Sequence, residues 1–266
     1  MQGKEGSINS CHGVIQNQGV AKLWSAEYIP DLKAVELPET FRGRPEIAPG
    51  VSETVAAELE QLCPTQAITA APLTIRLDRC LFCNECAKRY PQAIRFTPDY
   101  CLATNDLERL CISEHSPSAI TLDEKLVRSE IRRCFGRSLR LREVSAGGDN
   151  STEMELNATM NVNFDFGRYG IEFTASPRHA DGMVITGPIT ENMAVPLEIA
   201  YNAIASPKLL ILAGTDALSG GVFANSSALN RSFLESFKPD LYVPGNPVHP
   251  LTFIHGVMAL LGRYRK

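Results

Sequence analysis

Four cysteines constrain this chain more than any other feature: Cys80, Cys83 and Cys86 form a CxxCxxC run in RCLFCNECAKRYPQAI, and Cys63 stands upstream in LCPTQAI. Each of the two segments carries the same ending, CPTQAI and YPQAI, as a duplicated unit would. If Cys63 closes a first CxxCxxCxxxCP run, its three partners belong ten, seven and four residues earlier, where Glu53, Ala56 and Leu59 now stand. The closing position of the second run is Tyr90, followed by Pro91.

This pattern fits a ferredoxin-like pseudo-repeat. In two-cluster ferredoxins each run gives three cysteines to one cluster and its Cys-Pro cysteine to the other. By that crosswise rule the four missing ligands all belong to one cluster, and the four present ones belong to the other. The reading is one complete [4Fe-4S] site at Cys63, Cys80, Cys83 and Cys86 beside one erased site. The alternative is a structural zinc, which four cysteines with CxxC spacing can also hold. Cys11, Cys101, Cys111 and Cys134 share no ligand spacing and read as free thiols.

At 266 residues with 44% hydrophobic composition, the chain is long enough for two compact domains. A net charge of −4 and a pI near 5.8 give no general reason to expect nucleic acid. The longest apolar stretches, LLILAG and VMALL, fall far short of the roughly 20 residues that span a bilayer. The start, MQGKEGSINSCHGV, lacks the apolar centre of a secretory signal, so a cytoplasmic location is expected. Eight cysteines, four at cluster spacing, suit a reducing compartment.

Four regions follow. Residues 1–47 read as an irregular extension, with Trp24 and Tyr28 as local anchors, and 48–122 as the ferredoxin-like α+β module, with strands such as AITAA and TIRL. Residues 123–144 carry seven Lys and Arg against four acids and read as a basic-faced helix or arm. From 145 to 266 strand and helix signals alternate: GIEFTA, MVITG, KLLILAG and LYVPG read as buried strands, with helices near 193–205 and 249–262. That alternation implies an α/β domain with a parallel sheet, whose ligands gather at the carboxyl ends of the strands. The loops to watch are GPITEN, GTDALSGG and PGNPVHP, and Thr190 or Asn192 is placed to cap a helix.

The pieces FGRSLRLREVSAGGDNSTEMELNA, RYGIEFTASPRHADGMVITGPITENM, AGTDALSGGVF and YVPGNPVHP resemble the small, proximal-cluster subunit shared by respiratory complex I and the membrane-bound, energy-converting [NiFe] hydrogenases. The likeness covers roughly residues 126–266, and LPETFRGRPEI with the cysteine repeats looks like the separate ferredoxin-like subunit of the same complexes, so the chain resembles the two fused end to end. The resemblance implies a flavodoxin-like sheet and a peripheral position on the inner face of a membrane. It also implies docking onto a large subunit and, through it, integral membrane subunits.

The family's four proximal-cluster cysteines fall here on Asp149, Thr152, Asp216 and Asn246, so that site is vacated. Oxygen groups there could receive a hard cation such as Mg²⁺ or Ca²⁺, or could fill the space with water and hydrogen bonds. The resemblance places Glu153 near the large-subunit contact as a proton relay, and Arg178 and His179 near the cluster and quinone-type cavity. No nucleophile, phosphate loop or nucleotide fingerprint stands out, so no catalytic site is assigned to the chain alone. A redox-silent scaffold for an ion- or small-substrate-transporting complex, or a simple electron carrier, are the alternative functions.

Overall fold

The structure, a computed structural model, describes residues 35–264; Cys11, Trp24 and Tyr28 lie outside the described residues. The first module opens with strand β1 (Pro45–Ile47), helix α1 (Glu53–Leu62), the hairpin β2 (Ile68–Ala70) and β3 (Leu73–Arg76), the short helix α2 (Glu85–Arg89) and β4 (Ile94–Phe96). Strand β5 (Cys111–Ser113) completes an antiparallel sheet in the order β2-β3-β5, while β1 pairs with β4. The last residues of the expected irregular extension therefore belong to a sheet.

Helix α1 carries Glu53, Ala56 and Leu59, the positions that the sequence reading compared with cluster ligands. Ser52 takes extended backbone angles at its N-cap, and its hydroxyl accepts the Val55 amide hydrogen at 3.4 Å. Glu53, Ala56 and Leu59 recur every three residues along it, and the last two are buried, at 2% and 0% exposure. Ala56 and Leu59 supply apolar core, while Glu53 is exposed.

The second module runs α3 (Ser129–Phe135), β6 (Leu139–Ser145), α4 (Ser151–Ala158), β7 (Ile171–Phe173), β8 (Gly182–Thr186), α5 (Glu191–Asn202), β9 (Leu209–Ala213), α6 (Thr215–Ser219), α7 (Ser232–Ser236), β10 (Leu241–Val243) and α8 (Pro250–Leu260). Its five strands are all parallel, in the order β10-β9-β8-β6-β7. Numbered by appearance within the module this is 2-1-3-4-5, the flavodoxin-like order, with its switch point between β6 and β8. The expected α/β fold is present. Thr190 sits at the N-cap of α5, although its side chain makes no capping bond.

One segment differs from the sequence expectation. Residues 139–144, read as the end of a basic arm, form most of β6, a central strand, and only Ser129–Phe135 is helical. The cause is period-two patterning hidden by charge: Leu139 and Leu141 are fully buried, while Arg140 between them is exposed.

Alternation assigns each sheet face. Leu139, Leu141, Val184, Leu209, Ile211 and Val243 pack with Leu156 of α4 and with Phe253, Ile254 and Val257 of α8. Met183, Ile185, Leu210 and Leu212 face the other way, toward Leu197 and Tyr201 of α5 and Phe233 of α7. That second cluster continues without a break into the first module through Leu59, Ile75, Leu77 and Ile94. The two modules also share a backbone ladder step, since Thr104 exchanges amide–carbonyl bonds of 3.0 and 2.7 Å with Tyr242 on the edge strand β10.

Candidate functional site

The turns of the first module bring Cys63, at the C-terminal end of α1, together with Cys80, Cys83 and Cys86 around a single pocket. Pro64, Ala67, Ile68, Ile75, Leu81 and Phe96 give it a largely apolar wall. Gln66, Phe82 and Asn84 adopt left-handed backbone angles (φ 53°, 53° and 70°), which bend the chain tightly between the cysteines. Backbone amides point at two of the sulfurs: Ala67 N–H donates to Cys63 Sγ at 3.2 Å, and Phe82 N–H to Cys80 Sγ at 3.3 Å.

Burial pushes the Cys80 thiol up to about 12 and the Cys86 thiol up to about 11. In both, backbone N–H donors pull back and the neighbouring cysteines push further. Cys80 and Cys86, buried beside two further cysteines, need a cationic centre before they ionise, and metal binding releases thiol protons. Among the described residues no group of three or more His, Cys, Asp or Glu side chains already stands as an ion-holding set. Four sulfur donors, N–H groups aimed at sulfur and a dry wall suit a cysteine-ligated cluster.

A second group of residues collects at the carboxyl ends of the parallel strands. Asp149 lies in the loop after β6, where its Oδ1 accepts from the Ser151 amide (2.9 Å) and hydroxyl (2.6 Å), and these bonds hold its carboxyl below the usual range. Asp216, on α6 directly after β9, is pushed up by burial and then by the charges of Asp149 and Glu153. Its Oδ1 is buried without a hydrogen-bond partner among the described residues, and Gly221 leaves room for it: a Cβ there would fall 1.8 Å away. Thr152 is buried in the first turn of α4 against Gly214, whose φ of 96° and lack of a side chain permit the approach.

Glu153 is buried, and Thr186 at the end of β8 donates a hydroxyl hydrogen to its Oε1 at 2.7 Å. Glu143 on β6 is raised to about 7, chiefly by burial and then by Glu153. Asp149, Glu153 and Asp216 are thus electrostatic neighbours, with Thr152 packed beside them. No direct hydrogen bond joins Asp149, Thr152, Asp216 and Asn246 to one another among the described residues.

Asn246 follows β10 in the Pro244–Pro247 loop and faces a cavity of about 210 Å³, lined also by Arg42, Phe82, Glu155 and His249. Burial raises the Glu155 carboxyl and lowers the His249 imidazole. His249 Nδ1 accepts from Leu251 N–H at 3.2 Å. This cavity touches both modules, since Phe82 belongs to the cysteine loop. Beside it, Thr215 Oγ1 donates to Cys80 O at 2.8 Å and lies 3.2 Å from Gly245 O. Arg178 and His179 lie in a short 3-10 turn (Pro177–His179) before β8, with exposed side chains that form no hydrogen bond or ion pair among the described residues.

Sequence reasoning did not single out Glu143, Thr186 or Thr215. Glu143 sits in a stretch whose visible signal is basic charge, and the two threonines resemble ordinary strand-end residues.

The sequence profile described as NADH ubiquinone oxidoreductase, 20 Kd subunit, matches residues 150–260. The chain is 30% identical over 138 residues to a Pyrococcus furiosus protein described as "Probable membrane-bound hydrogenase subunit mbhJ", covering 52% of this chain and 83% of the relative. It is 32% identical over 148 residues to formate hydrogenlyase subunit 7 of Escherichia coli, covering 55% of this chain and 58% of the relative. A chain in the structure of the membrane-bound sulfane sulfur reductase, an archaeal respiratory membrane complex, is 22% identical with a TM-score of 0.44, over 50% of this chain and 73% of that one. With a relative at this identity matched over most of its length, the chain belongs to the small-subunit family of complex I and membrane-bound hydrogenases, that of the NADH ubiquinone oxidoreductase 20 Kd subunit.

Proposed function

We propose that this chain is a peripheral-arm subunit of a membrane-attached complex, a fusion of a ferredoxin-like subunit with a small subunit, that carries one [4Fe-4S] cluster and has lost the family's proximal cluster. The observation that carries this reading is the contrast between two sites. Cys63, Cys80, Cys83 and Cys86 line one apolar pocket, whereas the positions corresponding to the proximal ligands hold Asp149, Thr152, Asp216 and Asn246. Cluster irons take thiolates, with histidine in some centres, and not this set of carboxylates, hydroxyl and amide.

A bound cluster supplies one-electron transfer. The chain's own residues supply four thiolates, the Ala67 and Phe82 amides directed at sulfur, and the Ile68, Ile75 and Phe96 side chains that keep water out. The carboxyl end of the second sheet is the face for a large subunit, which in turn connects to integral membrane subunits on the cytoplasmic side. This agrees with relatives described as parts of a membrane-bound hydrogenase and of formate hydrogenlyase. Among the described residues no helix is long and apolar enough to cross a membrane.

The oxygen side chains at the vacated positions also favour a second reading, a redox-silent scaffold in which the remaining cluster only stabilises the fold. Affinity purification of the tagged chain from native membranes in mild detergent tests the main proposal. A large subunit and integral membrane subunits should co-purify in fixed proportion, and the cluster, once reduced, should be reoxidised by an acceptor of the complex. Recovery of the chain alone would contradict the assembly. An intact complex that never reoxidises the cluster selects the scaffold.

A further inference from the structure

The cysteine loop is fastened to the second module by one buried side chain. Thr215 is 1% exposed and begins α6, 135 residues away from Cys80 in sequence, yet its hydroxyl meets the Cys80 carbonyl oxygen at 2.8 Å. Gly245 O, 3.2 Å from the same hydroxyl, already accepts the Thr215 amide at 2.9 Å. A hydroxyl has one hydrogen, so the shorter contact takes it, and the amide bond to Gly245 fixes the side chain's aim. Gly214, with φ 96°, makes the turn that delivers Thr215 to this point.

The contact reaches a ligand residue and not a distant turn. Cys80 is the most deeply buried of the four thiols, and the amide of Phe82, two residues on, donates to its sulfur. Phe82 itself is buried and lines one cavity with Pro244, Gly245 and Pro247, and Arg42 Nη1 donates to Cys83 O at 3.3 Å. The segment from Cys80 to Cys83 is therefore held by groups outside the repeat that contains the cysteines. Outer groups that orient ligands and place dipoles near a metal centre govern how tightly it is kept and at what potential it accepts an electron.

We infer that Thr215 is a positioning residue for the cluster site: its hydroxyl fixes the Cys80 peptide and offsets the carbonyl dipole beside the bound cluster, so the second module tunes a centre it does not ligate. This rests on the cluster reading above. Without the hydroxyl, the unneutralised carbonyl adds negative potential at the cluster, which disfavours the added electron.

The test compares the full chain with Thr215→Val and Thr215→Ser, all purified anaerobically, by iron analysis, electron paramagnetic redox titration and iron release to a chelator. All three should carry the same iron. Thr215→Val should show a more negative midpoint potential and lose iron about tenfold faster, whereas Thr215→Ser should match the parent in both. Thr215→Ala repeats the comparison if valine prevents folding. A Thr215→Val protein with parental potential and parental release rate overturns the assignment. A parent chain without iron overturns the cluster reading instead. Hydrogen exchange of the apo chain then decides the fastening itself, which requires faster exchange at residues 80–84 in the valine variant and is overturned by equal rates.

Discussion

Thr186 donates its hydroxyl hydrogen to Glu153 Oε1 at 2.7 Å, joining the end of β8 to the first turn of α4 at the switch point of the sheet. Both residues are buried, and the nearby Glu143 carboxyl is raised to about 7 by burial and by Glu153. The loop after β6 thus leads into a buried, hydrogen-bonded acid, with a second acid beside it that holds its proton near neutral pH.

Folded Glu143 keeps its proton up to about pH 7, whereas its ordinary value is 4.5. Between these limits the folded chain binds more protons than the unfolded one, so stability is highest below the lower value and is lost as pH rises through the upper. Replacing Glu143 with Gln should leave stability almost unchanged at pH 5. At pH 8 it should add about 1 kcal/mol, a figure reduced for the water that reaches this half-buried group. Denaturant titrations of both proteins at the two pH values measure this. An equal effect at both would show that the carboxyl is not raised.

Arg231 binds the carbonyl oxygens of Pro188 (3.0 Å), Asp216 (3.4 Å), Ala217 (2.8 Å) and Leu218 (2.9 Å), where it finishes α6 and fixes the Asp216 loop. Arg231→Met should lower unfolding stability by about 2–3 kcal/mol. Arg231→Lys should recover little of it, because an ammonium cannot span four carbonyls arranged around a planar fork. Full recovery by lysine would reduce the role of Arg231 to its charge.

Cys83→Ala should abolish cluster binding and loosen the first module, since ligand binding energy is coupled to the folding of small metal-bound domains. Cys134 lies exposed on α3 and outside the pocket, so Cys134→Ala should leave iron content unchanged. Iron analysis with thermal unfolding checks both, and equal iron loss in the two variants would remove Cys83 from the ligand set.

Local patterns were legible in the sequence, and contacts between modules were not. Strands β7 to β10 followed from short apolar runs ending in Gly or Pro, and the cysteine spacing pointed to residues that now line one pocket. Strand β6 was hidden because Arg140 lies between its buried leucines and Arg142 follows them, which gave the segment a basic rather than alternating look. Asp149 and Asp216 could be paired by motif, and the structure makes them electrostatic neighbours. The Thr215–Cys80 bond and the Thr104–Tyr242 bridge join residues far apart in the chain, and no periodicity announces them. Arg178 and His179, expected near the cluster and quinone-type cavity, are exposed and form no hydrogen bond or ion pair with Asp149, Glu153 or Asp216 among the described residues.

Iron and acid-labile sulfide, counted per chain after anaerobic purification, test the central claim most directly. One cubane held by Cys63, Cys80, Cys83 and Cys86 predicts about four irons and four sulfides, with none added by Asp149, Thr152, Asp216 and Asn246. Eight irons, or stoichiometric zinc with no sulfide, would contradict it.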